Sequence, residues 1–394
     1  MKKIIARIIP LLLCLSLCSC DPFGLFGSDE VEDDEDESLT YSEGLEFTSN
    51  GDGTCSLSGM GTCSDSEIVI PRVSPDGDKV TAIKKDAFKY NNNIKSVVIT
   101  KEIVTIGEAA FMGCFSLESI TVGKGVASIK SRAFYGCNSL KTIVIPDGVT
   151  SMGDEVLAEC DSLESVTLSI GLTKISDMTF YGCSALKNIE IRGSVSSIGI
   201  RAFAKCKALT SIDIPDSVSI IGEYAFNGCS ALTGIAIPKG VSEIGNWAFY
   251  ECHALTSISV DKDNKNYTSM DGNLYTKDKK ILLQYAIGKS ETAFTIPDGV
   301  TTVNNGAFYY ARLQRISFPS SLTTIGVSAF DNCSALTNIV VYKGLSTVDT
   351  WAFSGCSSIA NVYYTGNEQD WKNIKFSSGN DYFKKASISY NYVP

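Results

Sequence analysis

Histidine is almost missing from this chain: its 394 residues include one, His253. That leaves little room for imidazole acid–base chemistry or histidine-bound metal. No G-x-S-x-G, P-loop or GxGxxG stretch stands in a context that would make it work. Paired metal-binding cysteines of the C-x-x-C kind are lacking too. Beyond the N-terminus no apolar run approaches the roughly 20 residues that span a bilayer. An excess of base is also absent, with 34 Lys and Arg against 44 Asp and Glu. Eight of the acids crowd into residues 29–37, which leaves 36 against 34 elsewhere. The body is therefore near neutral, and no nucleic-acid partner is expected. These absences argue against an enzyme and call for no cofactor and no metal.

The chain does have a targeting pattern at its start. Lys2, Lys3 and Arg7 precede an apolar stretch from Ile8 to Leu17, a length that suits a secretory signal. The segment ends in Leu17-Cys18-Ser19-Cys20, which resembles a bacterial lipobox. By that resemblance residues 1–19 are a signal peptide, Cys20 becomes the lipidated first residue, and contact with the membrane runs through the lipid alone. Residues 20–40 then form an acidic tether. Its run of acids resembles the export signal of Bacteroidetes surface lipoproteins, which places the protein at the outer membrane, on the cell surface.

A 23-residue period dominates the rest. The aromatic of each Ala-Phe pair recurs at Phe88, Phe111, Phe134, Phe180, Phe203, Phe226 and Phe249, with Leu157 filling the missing place. After an interruption the series resumes at Phe308, Phe330 and Phe353. Within a unit, Ile120 and Val122 alternate as in a strand. A Gly/Pro/Asp turn follows, then a second apolar pair, Val126 and Ile129. A glycine often comes next (Gly107, Gly153, Gly199, Gly222, Gly245, Gly326), which suits a bend at positive φ. The Ala-Phe-x-x-Cys stretch reads as one helical turn on the back. No 23-residue unit buries its own apolar face, so the units must stack into a solenoid of eleven or twelve coils.

The pattern L-x-x-I-x-I-P-x-x-V-x-x-I-G-x-x-A-F-x-x-C resembles the BspA-like leucine-rich repeats of bacterial surface proteins. The resemblance implies a capped solenoid, with short parallel strands on one face and turns on the other. It places an N-terminal cap at 41–82, repeats at 83–260, a hairpin insertion at 261–297, repeats at 298–358 and a C-terminal cap at 359–394. It also implies a binding role: adhesion to protein or glycan ligands on a host or on neighbouring bacteria. Two rival readings are a glycan-binding accessory lipoprotein for nutrient capture and a periplasmic structural protein.

Nine cysteines, from Cys114 to Cys356, sit three places after the anchors. Each stands alone in its unit and points the same way as its neighbours, so each reads as a small buried side chain with a weak hydrogen bond to a neighbouring turn. Cys55 and Cys63 flank Gly59-Met60-Gly61, a spacing that admits a disulfide across a hairpin. His253 should face outward at a turn while Cys252 faces inward, which forbids a dyad.

The expected ligand face is the outward row of the strands: Ser119, Thr121, Thr142, Ser165, Thr167, Asn188, Glu190, Ser211, Asp213 and Ser257. Its alternative role is plain solubility and strand propensity. Glu190 and Asp213 fall on adjacent strands and suggest a cation or a basic ligand group. Tyr135, Tyr181, Trp247, Tyr250 and Trp351 fall beside the anchors on the back, either as an aromatic patch or packed against neighbouring coils.

Overall fold

The computed structural model describes residues 39–394. The signal peptide, Cys20 and nearly all of the acidic tether lie outside the described residues.

Residues 40–394 form a solenoid of about 15 turns. This exceeds the eleven or twelve expected, because the stretches read as caps and insertion contribute turns of their own. Each coil has three sides. The front side carries strands such as Ser96–Val98, Ser119–Thr121, Thr142–Val144 and Ser165–Thr167. The second side carries two-residue strands such as Thr105–Ile106, Ser128–Ile129 and Ser151–Met152. Both sides pair in parallel with the residue one period away, as in Thr105↔Ser128↔Ser151. The alternation seen in sequence sets which side chains go inward: Ile120, Val122, Val126 and Ile129 are buried.

The third side departs from expectation. Ala-Phe-x-x-Cys is not a helical turn. Residues two before and two after the anchor take positive φ, as at Ala109 (52°) and Gly113 (69°) around Phe111. Alternate amides therefore point in opposite directions. Ala109, Phe111 and Gly113 donate to Ser131, Ala133 and Tyr135 in the next coil at 3.0, 2.8 and 2.7 Å. Ala110, Met112 and Cys114 donate back within their own coil, to Gly107, Ala109 and Phe111. This makes a third inter-coil ladder. Left-handed backbone costs a non-glycine residue about 1–2 kcal/mol, and the chain accepts it at Arg132, Met178, Tyr224 and Trp247.

The glycines before this turn also work differently from expectation. None of Gly107, Gly222 and Gly245 has positive φ. A Cβ on Gly222 would lie 2.6 Å from the backbone carbon of Gly199 in the coil before. Close approach of two backbones, rather than a special torsion, demands glycine there.

The anchors form a buried column. Phe180, Phe203 and Phe226 stack at 5.2 and 5.4 Å. The column extends past the units recognised in sequence. Tyr285, 23 residues before Phe308, stacks on it at 4.9 Å, and its amide donates to Ala307 as an anchor's should. The repeat thus resumes inside residues 261–297. The antiparallel hairpin proper is Tyr267–Met270 with Asn273–Thr276. Phe383 likewise stacks on Phe353 at 4.3 Å within the C-terminal cap. The Phe353 amide, left without a coil carbonyl, donates to the Asn380 side chain at 3.0 Å. At the other end, antiparallel pairing of Glu46–Ser49 with Thr54–Gly59 covers an open edge.

The cysteines form a second column. Cys114, Cys137, Cys206 and Cys229 each donate their thiol to the anchor carbonyl of the preceding coil, at 3.1–3.3 Å. That carbonyl already accepts the amide three residues on in its own coil, Asn91 for Phe88 and a cysteine for the others, so the thiol satisfies the second lone pair of a buried oxygen. The small buried role with a weak hydrogen bond is what the structure shows. Cys55 and Cys63 do not face each other. Cys55 lies in the strand Thr54–Gly59 opposite Ser49, with Cys63 in the turn beyond, and both are free thiols.

Replacing Phe203 with Ala should cost about 3–5 kcal/mol in urea unfolding. Phe203→Leu, which copies the natural Leu157 layer, should cost under about 1.5 kcal/mol. Equal losses would show that the ring stack itself is required. Burial pushes the Cys114, Cys160 and Cys252 thiols up to about 12 from 9.0. Folded pKa is raised, so the stability the thiols lend is complete below pH 9 and drains between pH 9 and 12. The loss is about 1.4 kcal/mol per thiol per pH unit. With eight column thiols raised in this way, unfolding followed by circular dichroism should set in sharply above pH 9, and Cys→Ala variants should delay it. An alkaline transition unmoved by those variants would refute this.

Candidate functional site

The ten residues expected on the ligand face are all exposed. They do lie in one surface, since parallel register places Ser165 beside Thr142 and joins Thr167, Glu190 and Asp213 in consecutive bridges. Ser257 marks the end of the row. The hairpin turn sits against it, with the Ile258 amide donating to Gly272 at 2.8 Å. Beyond it the front strands restart at Ala293–Thr295 without pairing to Ser257–Val260.

The face is not flat. Pairing lapses between Ser119–Thr121 and Thr142–Val144, and there the surface sinks into a depression of about 520 Å³. That lies within the 300–1,000 Å³ of ordinary ligand sites. Thr121, Thr142, Val144 and Thr167 line it, with Lys124, Asp147 and Arg192 at its rim. Val144, which lines it, is 60% exposed. Val144 is not among the residues expected on the ligand face, because an exposed valine in a strand is unremarkable until the lapse in pairing is known. Arg192 reaches back over two coils. Its guanidinium donates to the Leu168 carbonyl at 3.3 Å and approaches Asp147 at 3.5 Å. The arginine takes the place that proline holds in Ile145-Pro146 and Ile214-Pro215, so the rim is built by one irregular repeat.

Glu190 and Asp213 are adjacent, as expected from sequence. Neither makes an ion pair among the described residues: nearby Lys187 holds Glu164 at 2.7 Å, and Arg192 holds Asp147. No group of three or more His, Cys, Asp or Glu among the described residues is placed to hold a metal ion.

Cys252 and His253 are not brought together. The thiol points inward to the Phe226 carbonyl at 3.2 Å, whereas the imidazole is exposed against Tyr310 at 5.6 Å. On the back, the aromatics do gather in part. Tyr224 and Trp247 stack at 5.2 Å, the Arg201 guanidinium covers Tyr224 at 5.1 Å, and Tyr250 stacks on Tyr309 at 4.0 Å. Burial, and next a hydrogen bond to Tyr309, push the Tyr250 hydroxyl far above its usual range. Several of these ring faces are thus spent on one another or on Arg201. Tyr135 and Tyr181 are half-buried, while Trp351 is 56% exposed. No helix among the described residues is long and apolar enough to cross a membrane.

A search of curated proteins found no match. Among solved structures, a leucine rich cell surface protein from Faecalibacterium prausnitzii is similar at 28% identity and a TM-score of 0.58, over 86% of this chain and 98% of that one. A leucine-rich repeat protein from Bacteroides ovatus is similar at 23% identity and a TM-score of 0.56, over 90% of this chain and 99% of that one, and it supports the fold. The BspA type leucine rich repeat region matches residues 81–208, 196–282 and 285–391, in six copies. With both columns, the stacked coils and most of the sequence in agreement, this chain belongs to the family of BspA type leucine rich repeat proteins.

Proposed function

We propose that the protein is a lipid-anchored binding protein of the outer membrane surface, which recognises a protein on a host or neighbouring cell through the front face of its solenoid. The observation that carries this reading is the front row itself. From Ser119 to Asp213 the outward residues are exposed and, apart from Val144, polar, held on a repeating backbone with a ligand-sized depression in their midst. A surface of that kind offers many shallow contacts along one axis rather than a cleft around a reacting atom. Arrangement of side chains on a rigid sheet also lowers the entropy cost of binding.

Support for surface display comes from the lipobox-like Leu17-Cys18-Ser19-Cys20 and the acids that follow it, and from the similar protein described as a cell surface protein. Capture of a neutral glycan is the less favoured reading. The front depression contains no aromatic ring on which a sugar would lie.

In its native host, intact cells treated with protease should lose the solenoid, and metabolic labelling with a palmitate analogue should mark the protein through Cys20. Cys20→Ser should abolish the label and release the protein from the membrane fraction. Protection from protease on intact cells would place it in the periplasm and defeat the surface reading.

A further inference from the structure

The front face carries a polarity that narrows its partner. One outward column runs Val144, Thr167, Glu190, Asp213 in consecutive coils, joined by parallel register and bridges. Its first member is an exposed apolar residue lining the depression. Its last two are adjacent carboxylates with no ion pair among the described residues. An apolar seat and a negative seat are thus fixed on one straight line along the axis.

We infer that this column docks an extended polypeptide segment lying along the solenoid axis, with an apolar side chain in the depression over Val144 and a Lys or Arg four residues away over Glu190 and Asp213. This deepens the protein-binding reading and rests on it.

The spacing follows from two repeats. Paired strands lie about 4.8 Å apart, so Glu190 and Asp213 stand about 10 and 14 Å from Val144 along the axis. An extended peptide advances about 3.3 Å per residue and presents every second side chain to the same face. Residues i and i+4 therefore share a face about 13 Å apart, which matches the acid pair. Residues i and i+2 fall short, near Thr167. Charge complementarity supplies the occupant: two desolvatable carboxylates side by side need a cation, and a guanidinium or ammonium on a flexible stem meets both. The hydroxyls of Thr121, Thr142 and Thr167 serve the polar groups between the two anchors. At the far side of the depression Arg192 and Asp147 form a fixed rim that limits how far the apolar side chain travels.

The test uses capped seven-residue peptides of Thr and Ser with Phe at position two and Lys at position six, and the same pair in reverse order. Controls replace Lys with Glu, replace Phe with Ser, or move Lys to position four. Binding to the full chain is read by fluorescence anisotropy at low and at 150 mM salt. One of the two Phe/Lys orders should bind at least tenfold tighter than each of its three controls. The double variant E190K/D213K should reverse the charge preference, accepting the Glu peptide at least tenfold better than the Lys peptide, and V144E should abolish the gain from Phe. All three positions are exposed, and an unchanged melting temperature confirms that the variants fold. Equal binding of Lys and Glu peptides, no reversal in the double variant, or a preference for Lys at position four would overturn the inference. Tight binding of chitin oligosaccharides in place of the peptides, displaced by V144E, would overturn it too. Surface exposure by protease together with failure of the peptides would sink this inference and leave the wider binding role standing.

Discussion

Each coil of this chain leaves backbone groups on both flanks that only another coil can satisfy. That constraint organises everything else. Because the third side alternates left- and right-handed torsions, half of its amides serve their own coil and half serve the neighbour. A lone coil would strand those groups, and unpaired buried amides are costly. Stacking is therefore compulsory, and the sequence needs identical spacing far more than it needs identical residues. The interior columns follow from this. The phenyl rings fill the space between ladders, and the thiols finish the hydrogen-bonding of the anchor carbonyls.

The same constraint explains how the solenoid is ended and interrupted. At the C-terminal end, Asn380 offers its side-chain oxygen to the Phe353 amide in place of a coil carbonyl. Its own amide group donates to Asp349 at 2.8 Å. Beside the hairpin, Asn264 makes a comparable substitution, donating to Pro238 and Val241 at 2.8 and 2.9 Å and accepting from Asn266 and Tyr267. A buried asparagine carries a donor and an acceptor like a peptide group, so it stands in for a missing layer. The outward positions take no part in these ladders and are free to vary.

Much of the fold was legible because burial imposes a period. Anchors 23 residues apart, alternation at Ile120 and Val122, and single cysteines per unit follow from stacked identical layers. What stayed hidden was local geometry. Ala-Phe-x-x-Cys has the spacing of one helical turn, and hydrophobic pattern alone does not separate a helical turn from alternating torsions of equal length. The glycine after Ile106 or Ile221 looked like a torsional need and proved to be a spatial one. Tyr285 and Phe383 escaped notice as anchors because neither follows alanine; Gln284 and Tyr382 precede them. On the candidate site, the outward row was readable from alternation. The depression was not, since it depends on a lapse in strand pairing and on Arg192 crossing two coils, and neither leaves a mark in the pattern.

The hairpin after Ser257–Val260 has a consequence of its own. The front strands stop there and restart at Ala293–Thr295, and the second side stops at Glu243–Ile244 and restarts at Ile281–Gln284. The buried residues accordingly separate into two clusters that meet near Leu274 and Tyr275. Across this boundary two backbone hydrogen bonds, from Ile258 to Gly272 and from Gly288 to Leu255, are joined by side-chain contacts, including Tyr250 on Tyr309 and Trp247 beside Gly306. The solenoid is thus two strand ladders in series, joined through the hairpin. Val144, Glu190 and Asp213 all lie on the ladders before the interruption, so the recognition column is built wholly within one uninterrupted stack of coils.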